Sequence, residues 1–116
     1  IETVYLALLN SVLSNVSRAG VVAFSKTLSK EIKINGITIN SILTGGVLTD
    51  RLIQLIKKGN TNVNSALKSI SKSIPVQHIA TPSEFVKLIL FLCTEEASYI
   101  NGTAIQVDGG ASKTIF

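Results

Sequence analysis

SNVSRAGVVAFSKTLSKEIKINGITINSILTGGVLTD, residues 14–50, decides how this chain folds. It reads as a long helix from Ser14, a stop at Asn35-Gly36, a short β-branched strand over residues 37–43, and a Gly-Gly loop that opens into another helix. A helix feeding a buried strand whose end opens into a glycine loop is half of a crossover unit in a parallel α/β sheet. Open sheets of that kind hold ligands at the carboxyl ends of their strands. Residues 44–50 are therefore the expected rim of any site.

Outward from that stretch, the long helix carries Val16, Val22, Phe24, Leu28 and Ile32 at spacings near three and four, with Ala19, Gly20 and Ala23 as a stripe of small residues. Ser14 is its expected N-cap, and Asn35-Gly36 its left-handed stop. The strand's nearly continuous apolar character predicts cover on both faces. Thr49-Asp50 caps a helix over residues 51–58 that Gly59 ends, and residues 65–73 read as a short amphipathic helix. Residues 74–81 read as extended, with His78 alone in them. Thr81-Pro82-Ser83-Glu84 is a helix start with a hydroxyl cap and proline in the first turn. That helix runs through FVKLILFLCTEEAS with an apolar face wide enough to be mostly buried. After Asn101-Gly102, TAIQVDGG alternates as a strand and stops at Asp108-Gly109-Gly110. Residues 1–13 are apolar without a clear period, so a strand and an extra helical turn both stay open.

Composition limits what this architecture serves. At 116 residues, 46% hydrophobic and 16% charged, the chain suits one small globular domain rather than a disordered segment. Its net charge of +4 comes from scattered lysines without interleaved aromatics, which reads as a solvated helix face and not a nucleic-acid stripe. No apolar run reaches the ~18 to 20 residues of a membrane span, and the start lacks the basic flank and cleavage site of a secretory signal. A cytoplasmic protein is expected. The single Cys93, inside KLILFLC, is expected to be a buried, inert thiol, and no metal site is expected.

SRAGVVAFSKTLSKEI, then NGITINSILTGGVLTD, then TPSEFVKLILFLCTEEASYINGTAIQVDGG together resemble the carboxyl-terminal half of the short-chain dehydrogenase/reductase family, over residues 14–110. The Gly-x-x-x-x-Val-Asp-Gly-Gly ending is the most distinctive part. The resemblance implies half of a Rossmann-like doubly wound fold, two parallel strands with about four helices, in a single truncated domain. It also implies an oxidoreductase of carbonyl or alcohol substrates that uses NAD or NADP. In that family a Tyr-x-x-x-Lys pair opens the long helix; in register with Ala19-Gly20, those positions here hold Ser14 and Arg18. The tyrosine would exchange the proton at the substrate oxygen, and the lysine would lower its pKa and hold the nicotinamide ribose. Serine is a far weaker acid than tyrosine and does not run that transfer near neutral pH. Arg18 keeps positive charge and a reach to the ribose. The family's Pro-Gly loop corresponds to Thr44-Gly45 and Thr49-Asp50, with Val47 where a backbone group would meet the nicotinamide amide.

The family's glycine-rich pyrophosphate turn, Gly-x-x-x-Gly-x-Gly, occurs nowhere in these residues. The expectation for this chain alone is thus no cofactor and no turnover, with Arg18, Gly45, Val47 and Thr49 as a relic cofactor edge. Two readings follow: a silent module that persists in an assembly, or part of an active oxidoreductase whose cofactor-binding half is supplied elsewhere. The bare edge of the 37–43 strand and the small-residue stripe, which in the family packs between subunits, predict a homodimer or tetramer.

Overall fold

The computed structural model describes residues 12–32 and 36–115. Helix α1 (Val12–Glu31) leads into strand β1 (Ser41–Thr44). Helices α2 (Asp50–Lys58), α3 (Val63–Ser73) and α4 (Pro82–Leu92) follow, then a 3-10 turn (Glu95–Ala97) and strand β2 (Ala104–Val107). The two strands pair in parallel, Ser41 opposite Ala104 through Thr44 opposite Val107, so the crossover inferred from residues 14–50 is present. Its connection runs through three helices, as a parallel pair requires.

Local chemistry sets most element ends. Thr49 Oγ1 accepts from Leu52 N–H at the start of α2, and Asn62 Oδ1 accepts from Ser65 N–H at the start of α3. At α4 the capping box is complete: Thr81 Oγ1 takes Glu84 N–H, while the Glu84 carboxylate takes Thr81 N–H. Gly109, at φ +64°, turns the chain where an added Cβ would sit 2.6 Å from Val76 Cγ2 and 2.8 Å from Ile74 Cγ2. The Asp-Gly-Gly ending thereby folds onto the 74–76 segment, and Val76 N–H donates to Gly109 C=O. At the other end of β2, Lys26 Nζ donates to Gly102 C=O over 2.7 Å, and Asn101 Nδ2 to Ser29 C=O, which ties the end of α1 to the sheet.

Several expectations need correction. Helix α1 already runs at Val12, so Ser14 lies within its first turns and is not an N-cap. Gly36 does take φ +85°, but Asn35 and residues 1–11 lie outside the described residues. The ladder occupies residues 41–44 only, and before it asparagine side chains share the bonding: Asn101 Oδ1 takes Ile39 N–H, Ile39 C=O takes Gly102 N–H, and Asn40 spans Ile100 C=O and Thr103 N–H. Among the strand's residues Leu43 alone is buried, so β1 is not covered on both faces. Residues 74–78 turn where an extended segment was expected, with Gln77 at φ +61°, and extended backbone is found at Ala80, which bridges Val47, and at Thr81. The apolar face of α4 is open, Leu90 being 62% exposed, because no described element lies over it. Cys93, at its C-cap, is exposed for the same reason, against the expectation of a buried thiol.

Candidate functional site

Four-residue spacing on α1 places Ser14 and Arg18 one above the other on the same helix face. Arg18 Nε–H donates to Ser14 Oγ over 3.0 Å, and Ser17 Oγ–H to Ser14 C=O over 3.2 Å. Ser17, Arg18, Val21 and Ser25 then form one wall of a cleft of about 340 Å³ whose other wall is residues 40–44, including all of β1. Ladder bonds alternate along a parallel strand. Ser41 N–H donates to Thr103 C=O and Gly45 N–H to Val107 C=O, so those residues face β2. The backbone groups of Ile42 and Thr44 point the other way, toward the cleft.

The remaining candidates lie at the carboxyl ends of the strands, where an open sheet holds ligands. Gly45 lies against Asp108, and its N–H is used by Val107 C=O. Val47 forms a parallel bridge with Ala80: Leu48 N–H donates to Ala80 C=O over 2.8 Å, and Ala80 N–H to Gly46 C=O over 3.3 Å. Thr49 spends its hydroxyl on the α2 cap. A second pocket of about 220 Å³ opens between these ends, walled by Gly46, Ile74, His78, Ala80, Val107 and Asp108. Burial works against the Asp108 charge, yet hydrogen bonds from Gln106 Nε2 and from the N–H groups of Ser112 and Gly110 outweigh it and hold its carboxyl below the ordinary value.

The structure thus joins Ser14 to Arg18, and sets Gly45 and Val47 along one rim, but gives Gly45 and Thr49 structural partners. The N–H groups of Gly45 and Leu48 are committed to backbone carbonyls. Among the described residues no three His, Cys, Asp or Glu side chains come together as metal ligands. No helix among them is long and apolar enough to cross a membrane.

Sequence reading missed two groupings. His78, read as solitary, pairs with Glu84 over 3.0 Å. The six-residue spacing spans a turn and a helix start, so no single-element periodicity reveals it. Asn40 and Asn101 also clamp β1 to the approach of β2, and Asn before a strand carries no signal of its distant partner.

Comparison with known proteins adds the frame. The sequence matches the profile of the enoyl-(acyl carrier protein) reductase family over residues 5–112. It is 33% identical over 110 residues to the NADPH-dependent reductase BacG of Bacillus subtilis (strain 168), covering 91% of this chain and 42% of BacG. L-sorbose reductase from Gluconobacter frateurii, solved with NADPH and L-sorbose, superposes with a TM-score of 0.77 at 36% identity, over 87% of this chain and 40% of the reductase. A short chain dehydrogenase family protein from Francisella tularensis subsp. tularensis SCHU S4 gives a TM-score of 0.84 at 26% identity, over 97% of this chain and 48% of that one. The chain spans about two fifths of the length of BacG and of the sorbose reductase. With the profile match running almost end to end and the fold shared with reductases at a third identity, the chain belongs to the short-chain dehydrogenase/reductase family.

Proposed function

We propose that this polypeptide carries the family's carboxyl-terminal architecture without its hydride-transfer chemistry, and serves in the cytoplasm as a silent module of a homo-oligomer. One observation carries the reading: Arg18 Nε–H is donated to Ser14 Oγ, so the two positions that should hold a tunable acid and its cation hold a hydroxyl and a guanidinium bonded to each other. A general acid works when its pKa lies near the operating pH. Tyrosine starts at about 10 and is brought down by a neighbouring cation; a serine hydroxyl starts far higher. The committed N–H groups of Gly45 and Leu48 support the same reading on the cofactor side.

Assembly is supported by what α1 leaves open. Val12, Leu13, Val16, Val21 and Phe24 are each more than 60% exposed along one helix, and apolar surface of that extent is normally an interface. Calorimetric titration with NADPH and NADP+ tests the chemical half of the proposal, with no saturable binding expected at micromolar cofactor. Saturable binding overturns it. Light scattering at low micromolar concentration tests assembly: a compact 12.3 kDa species would contradict it.

The second reading, a part of an active carbonyl or alcohol oxidoreductase completed elsewhere, is favoured by the coverage of about two fifths of BacG and by the cation kept at Arg18. A glycine-rich βαβ unit read in frame immediately before Ile1 would favour it over the silent module.

A further inference from the structure

We propose that His78 and Glu84 form a pH-responsive latch that ties the 74–78 turn to the start of α4, and through Ala80 holds the Gly46–Leu48 rim in place. The inference does not depend on whether the chain transfers hydride.

The geometry fixes the protonation state the latch needs. His78 Nε2 lies 3.0 Å from Glu84 Oε1, and His78 Nδ1 lies 3.2 Å from Val76 C=O. Both partners accept and cannot donate, so only an imidazolium, with a proton on each nitrogen, makes both bonds. A neutral ring gives up one of them and turns a lone pair toward an oxygen. Glu84 is itself anchored, since Oε2 takes Thr81 N–H and Thr81 Oγ1–H, each over 2.8 Å. The ring is therefore pinned between its own turn and the capping box of a helix.

What the turn holds is the candidate site. Two residues beyond His78, Ala80 trades backbone bonds with Gly46 and Leu48, and His78 itself walls the pocket at the strand ends. The turn needs tying, because Gln77 takes φ +61°, a region that residues with side chains enter reluctantly. From α4 the charged group facing the ring is Glu84. From the end of β2 it is Asp108, across the pocket and engaged by Gln106, Gly110 and Ser112. From α3 the turn meets the Lys72 carbonyl through Gln77 Nε2.

The titration behaviour agrees. The Val76 carbonyl, then the hydrogen bond and charge of Glu84, raise His78 above its ordinary 6.5. Thr81 N–H, Thr81 Oγ1–H and His78 lower Glu84 from 4.5 to about 2. A raised histidine contributes in full below its unfolded pKa, and that contribution is lost as pH climbs through its folded value; a lowered carboxyl contributes above its unfolded pKa and is lost toward its folded one. The latch is complete between about pH 4.5 and 6.5 and releases on the alkaline side.

His78 is the chain's single histidine, so its ring protons can be followed by NMR in the intact protein without ambiguity. Its midpoint is expected above the ordinary value and falls in Glu84→Gln. Amide exchange at Leu48 and Ala80, corrected for the intrinsic rate, is expected to accelerate about two- to fivefold across that midpoint, the range of an exposed ion pair. In Glu84→Gln the faster exchange is expected already at low pH. An ordinary midpoint unmoved by Glu84→Gln overturns the proposal. So does a raised midpoint with no step at Leu48 and Ala80, because the pair would then hold nothing.

Discussion

Replacing Gly45 by alanine separates a structural demand at the site rim from a relic of cofactor binding. A Cβ at Gly45 would sit 2.6 Å from Asp108 Cα, 2.8 Å from Asp108 Cβ and 3.3 Å from Asp108 C. The first of these is backbone, so the conflict is not relieved by a rotamer change. Either β1 or the Asp108 turn has to move. Moving β1 strains the Gly45 N–H bond to Val107 C=O at 2.8 Å, and moving Asp108 disturbs its bonds from Gln106, Gly110 and Ser112. Overpacking of this kind costs about 1–3 kcal/mol, and backbone contact puts Gly45→Ala at the upper end. Gly46 is the control, since a Cβ there meets only Ile79 Cγ2 at 3.9 Å and its φ lies outside the left-handed region. Gly46→Ala therefore keeps stability or adds about 0.4–1 kcal/mol through the unfolded state. Urea unfolding at one fixed protein concentration measures both. With a slope of about 1–3 kcal/mol per molar, Gly45→Ala lowers the midpoint by roughly 1 M or more. Equal midpoints for the two variants would refute the packing argument and return Gly45 to a purely functional explanation.

Three further outcomes follow from the same geometry. Ser14→Tyr combined with Arg18→Lys restores the family's pair but, on the proposed reading that the cofactor cradle is the prior deficit, yields no NAD(P)H-linked turnover above background in an absorbance assay. Thr81→Ala lowers thermal stability more than Thr49→Ala: caps are worth about 0.5–2 kcal/mol, and Thr81 takes part in a complete capping box, whereas the single Thr49 bond is 3.4 Å long. Cys93, exposed on the single chain, reacts with a thiol reagent more slowly in the assembled native protein than in denaturant; a native rate close to that of a free thiol would show that no partner covers the end of α4.

The parts of this fold legible in the sequence were those specified within one element. Thr81-Pro82-Ser83-Glu84 names its own helix start because both partners of the capping box lie within one turn. Residues 104–107 read as a strand because alternation and the Asp-Gly-Gly stop are local, and they pair with β1 as the family resemblance implied. Burial was less legible. The apolar faces of β1 and α4 predict cover, but the covering surface is a property of whatever lies beyond these residues, so Leu90 and Cys93 are exposed. Site chemistry divided the same way. The resemblance put Ser14 and Arg18 at the family's tyrosine and lysine positions through the register of Ala19-Gly20; the commitment of Gly45 N–H to Val107 and the pairing of His78 with Glu84 depend on contacts between distant elements.

The open faces also say what this chain requires in order to persist. Among the described residues the buried apolar side chains are Leu43, Ile74, Ile79 and Ala97, and none of the larger ones is fully enclosed. A folded monomer of 12.3 kDa exposes about 6,100 Å², whereas this chain exposes 8480 Å². Its radius of gyration, 16.1 Å, likewise exceeds the roughly 13 Å of a compact domain of this length. A two-stranded sheet is marginal by itself, and hydrophobic burial is the dominant favourable term in folding. In the proposed assembly, folding of β1 and α4 would be coupled to association: whatever covered the 340 Å³ cleft along β1 and the apolar side of α4 would supply core that the described residues do not close among themselves. On that ground the proposed loss of Tyr-x-x-x-Lys chemistry is compatible with retention of the apolar faces. The silent module proposed above would still have to keep the surfaces by which it folds.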